Sequence, residues 1–166
     1  MTPISCKVPD AIFFFNLAEQ PLTLAIYTNG THLCGIDFVN RQSVLAPSTA
    51  LSERVVRQLE TYLEDPQRPF DLPLQMTGTD YQCRLWSALR DVPTGETRTY
   101  GQLAKQLRSG AQAIGQACRR NPVPIVVPCH RILSQSGIGG YAGAVEGEKL
   151  GFKQALLMHE GVVSGG

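Results

Sequence analysis

The chain has 166 residues, a formal net charge of +1 and 43% hydrophobic residues, which suits one good-sized globular domain or two small ones sharing a core. Its apolar runs, Ile12–Phe15 and Ile125–Val127 among them, fall far short of the roughly 20 residues a membrane helix needs, which excludes a membrane-spanning helix. Charge is unevenly placed: residues 1–80 carry five Lys/Arg against nine Asp/Glu, a net of −4, whereas residues 81–131 carry eight against two, a net of +6. Such asymmetry is a hint of polyanion binding through the basic segment only, although a solvated face explains most modest charge excesses.

Residues 11–38 read as antiparallel strands. Leu22, Leu24 and Ile26 alternate with Thr23, Ala25 and Tyr27, and Asn29-Gly30 follows, a dipeptide suited to a tight hairpin because both turn residues need positive φ. A second strand over Thr31–Val39 then returns. Ser52 is placed to cap a helix with Val55, Leu59, Tyr62 and Leu63 on one face, and Asp65-Pro66 ends it. The Pro-rich stretch Pro66–Gly78 has no helical period and reads as an extended linker, which sets a domain boundary near residue 77. Residues 1–77 are therefore expected to form an α+β structural domain with a small antiparallel sheet and at least one helix, linker included, and residues 78–166 a helical one.

Beyond the linker, Asp80 is placed to cap a helix carrying Leu85, Trp86 and Leu89, which stops at Val92-Pro93-Thr94-Gly95. Thr99 caps a short helix with Leu103, Ala104 and Leu107 inward. After Arg108-Ser109-Gly110, a third helix over Ala111–Arg120 puts Ala111, Ile114 and Cys118 on one side and Gln112, Gln116 and Arg119 on the other. Two short helices joined by a glycine-containing turn are the outline of a helix-turn-helix, an outline that ordinary packed helix pairs share. The outer face adds weight. It offers amide and guanidinium groups, and the small residues Ala113, Gly115 and Ala117 permit close approach of a phosphate chain.

Five cysteines, at 6, 34, 83, 118 and 129, make an odd count without regular spacing, and the N-terminus lacks the pattern of a signal peptide. We read free thiols in a reducing, cytoplasmic compartment. Cys6, His32 and Cys34 lack the paired knuckle of a zinc site, so no metal is expected there. Cys129 is different, because Pro128 fixes its own φ and lacks an N–H, which excludes a helix interior or central strand and leaves a stiff turn. His130 and Arg131 follow, two potential cations that would favour the thiolate, the form that attacks an electrophile. Glu160 is a candidate to orient a histidine. A bare Cys-His dipeptide, however, is more often structural than catalytic.

The longer string decides the matter. Asn121-Pro122-Val123-Pro124 leading into Ile125-Val126-Val127-Pro128-Cys129-His130-Arg131, then Gly139-Gly140-Tyr141-Ala142-Gly143, then Leu156-Leu157-Met158-His159-Glu160-Gly161, resembles the O6-alkylguanine-DNA alkyltransferases, also called methylated-DNA–protein-cysteine methyltransferases. Thr99-Tyr100-Gly101-Gln102-Leu103-Ala104 is similar to the first helix of that family's DNA-binding element. The resemblance covers about residues 78–161, and the first 77 only by layout. It implies double-stranded DNA containing O6-alkylguanine as the partner, no cofactor, a monomer, and a helical domain that both binds DNA and accepts the alkyl group.

The resemblance also implies roles. The nucleotide rotates out of the duplex, and Cys129 as thiolate attacks the alkyl carbon. His130 takes the thiol proton, Glu160 holds the imidazole, Tyr100 donates its hydroxyl to the departing base, and Asn121 braces the turn. The DNA face comprises Thr99, Gln112, Ala113, Gly115, Gln116, Arg119 and Arg131. Main-chain groups near Ile132 and the Tyr141-Ala142-Gly143 loop line the base pocket. An S-alkyl thioether offers water no electrophilic carbonyl, so each molecule acts once.

This sequence departs from the family's pattern at Gln112, where an arginine usually fills the gap left by the rotated base, and Gln112 has reach but neither charge nor planar fork. The segment after Gly143 is longer than expected, and Ala155 replaces a tryptophan common before the paired leucines. Two other readings are a damage sensor that binds without reacting, against which Cys129 argues, and a cysteine hydrolase, which would leave the basic helix pair unused.

Overall fold

The computed structural model describes residues 8–17, 20–40, 43–139 and 148–162. It divides into two units, Met1–Thr77 and Gly78–Gly166.

In the first unit, β1 (Ala11–Leu17), β2 (Gln20–Thr28) and β3 (Leu33–Val39) form an antiparallel sheet in the order β1-β2-β3. Register places Phe15 opposite Leu22, and Ile26 between Ala11 and Ile36. The β2–β3 connection is longer than the two-residue hairpin expected, and β3 begins at Leu33. The cause is Asn29, whose side-chain oxygen accepts from the Thr31 and His32 amides at 3.0 and 2.8 Å and holds a wider loop, with Gly30 at φ +92°.

Helix α1 (Ala50–Glu64) starts at Thr49, three residues before the expected cap: Thr49 and Ser52 bond each other's backbone N–H in a capping box. Val55, Leu59 and Tyr62 are buried as its period requires, and Tyr62 stacks on Phe15 and Phe70. The expected linker is partly built into this unit. Leu33 N–H donates to Pro73 O at 2.7 Å and Gln75 N–H to Leu33 O at 3.0 Å, so the segment lies alongside the start of β3.

The second unit contains α2 (Asp80–Arg90), β4 (Arg98–Thr99), α3 (Tyr100–Leu107), α4 (Ala111–Arg119), a 3-10 turn over Cys129–Arg131, β5 (Ile132–Leu133) and α5 (Glu148–His159). Thr79, one residue before the expected cap, closes the N-terminus of α2 in a capping box with Gln82, and Thr99 does so for α3 with Gln102. Trp86, buried in α2, donates its Nε1–H to Ala117 O at 3.0 Å and so ties α2 to the back of α4. That contact corrects the expected face of α4: Ile114 and Ala117 point inward, while Ala111 is exposed. Arg108, in the left-handed region at φ 54°, ends α3 and turns the chain into α4.

The pairing of β4 with β5 has no counterpart in the expected elements. It is parallel, Arg98 opposite Ile132 and Thr99 opposite Leu133, and it joins the start of α3 to the exit of the Cys129 turn. Among the described residues, no helix is long and apolar enough to cross a membrane.

Candidate active site

Cys129 opens the 3-10 turn, with Pro128 before it. Its N–H donates to Val127 O at 2.9 Å, and Asn121 holds that same carbonyl through Nδ2 at 2.8 Å while its Oδ1 accepts from Val123 N–H at 3.0 Å. Asn121 therefore links the end of α4 to the strand of backbone that carries the cysteine. Ile125 sits inside this loop at φ +74°, a left-handed conformation that a β-branched residue adopts only under constraint, at a cost of about 1–3 kcal/mol.

The sulfur's surroundings differ from those expected. Cys129 is buried, at 7% exposure, and burial pushes its thiol up, opposed by the Asn121 hydrogen bond and by the charge of Lys153. The charge acting on the thiol is that of Lys153, twenty-four residues further on, and not that of His130 or Arg131 beside it in sequence.

His130 and Glu160 are fully buried, and His130 Nε2 lies 2.7 Å from Glu160 Oε1. Arg131 lies beside them, with Nε on Glu160 Oε2 and Nη2 on Oε1, both at 2.9 Å, Nη1 on Val92 O at 2.6 Å, and Nη2 also on Thr94 Oγ1 at 3.1 Å. Burial works to raise the Glu160 carboxyl, but the hydrogen bonds and charges of His130 and Arg131 outweigh it and hold the group at about 2. Burial pushes His130 down, against the pull of Glu160. An ionised carboxylate only accepts, so the neutral ring must carry its proton on Nε2. That leaves Nδ1 as the basic nitrogen, and it is a buried atom with no hydrogen-bond partner. No hydrogen bond runs directly from the cysteine to it.

Tyr100 begins α3, immediately after β4. Burial first, then the nearby Cys118 and Cys129 sulfurs, push its hydroxyl up to about 12, so it stays a donor at neutral pH. Lys153 of α5 is fully buried, 6.0 Å from the centre of the Tyr100 ring, with Nζ donating to Ile132 O at 2.6 Å. Burial lowers it to about 8, opposed by Cys129 and Cys118. Cys118, half-buried on α4, is itself raised, by burial and then by Cys129. Gly139, at φ +75°, passes so close that a Cβ would meet the Tyr100 ring at 3.1 Å. Lys153 and Cys118 had no signal in the sequence beyond their residue type, because only the fold brings α4 and α5 to the Cys129 turn.

The helix-turn-helix presents Gln112, Ala113, Gln116 and Arg119 to solvent, with Gly115 half-buried and open space where its Cβ would stand. Thr99 is occupied as the cap of α3. Two expectations are corrected. Arg131 does not belong to the DNA face: at 8% exposure its guanidinium is committed to Glu160, Val92 and Thr94. Ile132 is fully buried, its N–H on Cys129 O and its carbonyl on Lys153, so its main chain is engaged internally. Tyr141, Ala142 and Gly143 of the expected base pocket, and Cys6, lie outside the described residues. Among those described, no group of three or more His, Cys, Asp or Glu could hold a metal.

Residues 80–162 match the family model of the 6-O-methylguanine DNA methyltransferase, DNA binding domain. A methylated-DNA–protein-cysteine methyltransferase of Methanosarcina acetivorans is 42% identical over 108 residues, 63% of this chain; the match spans 66% of that relative, just under two thirds of its length. Among solved structures, a variant of the Mycobacterium tuberculosis O6-methylguanine methyltransferase superposes with a TM-score of 0.72 at 34% identity, covering 89% of this chain and 90% of that one. The M. tuberculosis protein in complex with DNA gives 0.67 at 37% identity, covering 84% and 86%. The family model spans half of the chain, within the second unit, and the chain belongs to the O6-methylguanine DNA methyltransferase family.

Proposed function

We propose that the protein repairs double-stranded DNA by moving the alkyl group of O6-alkylguanine onto Cys129, once per molecule. The helix pair α3–α4 binds the duplex through Gln112, Gln116 and Arg119, with Ala113 and Gly115 admitting the backbone. The damaged nucleotide is rotated out, at an unstacking cost of a few kcal/mol met by protein contacts. Residues 78–166 form the DNA-binding and alkyl-acceptor domain, and residues 1–77 the structural one.

The S–H proton leaves Cys129 for His130 Nδ1, through an intervening group because no direct hydrogen bond joins them. The Cys129 Sγ–C bond forms as the C–O6 bond breaks, and the electron pair of that bond stays with the purine. Tyr100, a donor at neutral pH, delivers a proton to the base, and the proton taken from sulfur restores Tyr100. One proton leaves sulfur and one arrives on guanine. The Lys153 charge favours the thiolate while it exists. No cofactor enters, and one copy of the chain suffices per lesion. The odd, irregularly spaced set of five cysteines suits a reducing, cytoplasmic setting.

The observation that carries this reading is the Cys129 turn, braced by Asn121 and backed by the buried His130–Glu160–Arg131 group. The test is stoichiometry. With excess O6-methylguanine duplex, restored guanine should stop at one per protein molecule. Continued turnover would favour the hydrolase, and binding without restored guanine the sensor.

A further inference from the structure

The group around His130 contains more than a base and its acceptor. Arg131 bonds both oxygens of Glu160 in a two-pronged contact, sharing Oε1 with His130, and is itself anchored on Val92 O and Thr94 Oγ1, in the loop after α2. The carboxylate thus has a permanent counter-charge within 2.9 Å that does not depend on the imidazole.

We infer that Arg131 is a positioning residue for the transfer reaction: its fixed charge keeps the Glu160–His130 pair from taking up a second proton, and so keeps His130 Nδ1 bare. This rests on the reading of Cys129 as alkyl acceptor. With Arg131 present, Glu160 and Arg131 cancel, and a neutral His130 leaves the buried group uncharged. Without it, a buried carboxylate would face only a neutral ring, and the pair would bind one more proton. The location of that proton is immaterial. On the ring it makes an imidazolium, with both nitrogens protonated. On Glu160 it turns the carboxyl into a donor to Nε2, and the neutral ring must then carry its hydrogen on Nδ1. Either arrangement caps the basic nitrogen.

The charged groups acting on His130 are Glu160 just beyond α5, Lys153 within α5, and Arg131 on its own turn. Lys153 also opposes protonation of the ring, but it is itself lowered to about 8 and loses its charge above that. Arg131 keeps its charge at every working pH. A role in DNA contact is closed to it by burial, and a role in packing alone would not need both prongs on one carboxylate.

The experiment pairs nitrogen NMR of 15N-histidine protein with the pH dependence of methyl transfer from duplex DNA. In the unaltered protein, His130 should carry hydrogen on Nε2 and none on Nδ1 at neutral pH. In Arg131→Met, Nδ1 should be protonated at neutral pH, and the acid limb of the rate profile should move up by about one unit or more, a loss of roughly tenfold at neutral pH that is recovered in alkali. Arg131→Lys retains the charge and should keep the limb near its original place. An unaltered protein with hydrogen on Nδ1 overturns the inference even if Arg131→Met does not fold. So does an Arg131→Met profile lowered equally at all pH. Bare Nδ1 with no methyl transfer at any pH would instead refute the reading of Cys129, which keeps the two failures apart.

Discussion

The cores of the two units are built from different chemistry. In Met1–Thr77 the described core is apolar, built from residues such as Phe15, Leu24, Ile26, Leu59 and Tyr62, and its buried polar side chains are the hydroxyls of Thr23, Thr28 and Ser52. In Gly78–Gly166 the core also takes in His130, Arg131, Lys153 and Glu160, all at 8% exposure or less, together with the Cys129 thiol. Buried ionisable groups are rarely the most stable way to fill a core, because desolvation offsets much of their attraction. Their concentration in one unit makes that unit the candidate for chemistry, whereas the described core of the first unit is apolar.

Substitutions in the two units should therefore fail in different ways. The largest effect is expected from Cys129→Ala, which should abolish methyl transfer while leaving affinity for duplex DNA unchanged in a mobility-shift titration, since the thiol makes no phosphate contact. Residual transfer would identify another nucleophile. That affinity should fall as salt rises, through counterion release.

Next come two substitutions of similar energetic size and opposite meaning. Leu59→Ala removes a fully buried side chain from the first unit and should cost about 2–5 kcal/mol in denaturant unfolding, with transfer per folded molecule preserved. Glu160→Gln leaves Arg131 buried without its partner and should cost about 3–5 kcal/mol and most of the activity. It should also change the pH dependence of stability. Because Glu160 is held at about 2 against an ordinary 4.5, its contribution is complete above 4.5 and is lost as pH falls toward 2. Thermal melts across that window should show this loss in the unaltered protein and a smaller one in Glu160→Gln.

A smaller effect is expected at Lys153. Lys153→Met should raise the Cys129 thiol and slow its alkylation by iodoacetamide about tenfold at neutral pH. The unfolded chain binds the lysine proton more tightly than the folded one, so stability should rise from about pH 8 toward 10.5, and Lys153→Met should remove that rise. The smallest change is Gln112→Arg, which should speed repair of duplex DNA severalfold and reaction with free O6-methylguanine hardly at all. Equal acceleration of both would remove Gln112 from the DNA step.

What could be read from the sequence follows the range of the forces involved. Local signals held: Thr99 caps α3, Leu103, Ala104 and Ile114 are buried, and Pro128 stiffens the Cys129 turn. Caps shifted where a neighbouring threonine competed, as Thr49 did with Ser52 and Thr79 with Asp80, because both candidates can satisfy the free amides of the first turn. The Asn29 loop widened because a side-chain oxygen replaced backbone turn bonds. Long-range pairings were not legible. Nothing local announces that Arg131 would be buried against Glu160, that the Lys153 charge would act on the Cys129 thiol, or that two residues of β4 would pair with β5. Residue adjacency suggested that the charges of His130 and Arg131 would act on the thiol, whereas the turn directs the Arg131 guanidinium and the His130 Nε2 edge to a carboxylate 29 and 30 residues further along the chain.

The claim on which all of this depends is that Cys129 is the alkyl acceptor. Incubation with a duplex carrying one O6-methylguanine, followed by intact-mass and peptide-level mass spectrometry, tests it most directly. The protein should gain one methyl group, found on the sulfur of Cys129, and should gain no more with additional substrate. A protein whose mass is unchanged, or whose methyl group resides on any other residue, would contradict the account.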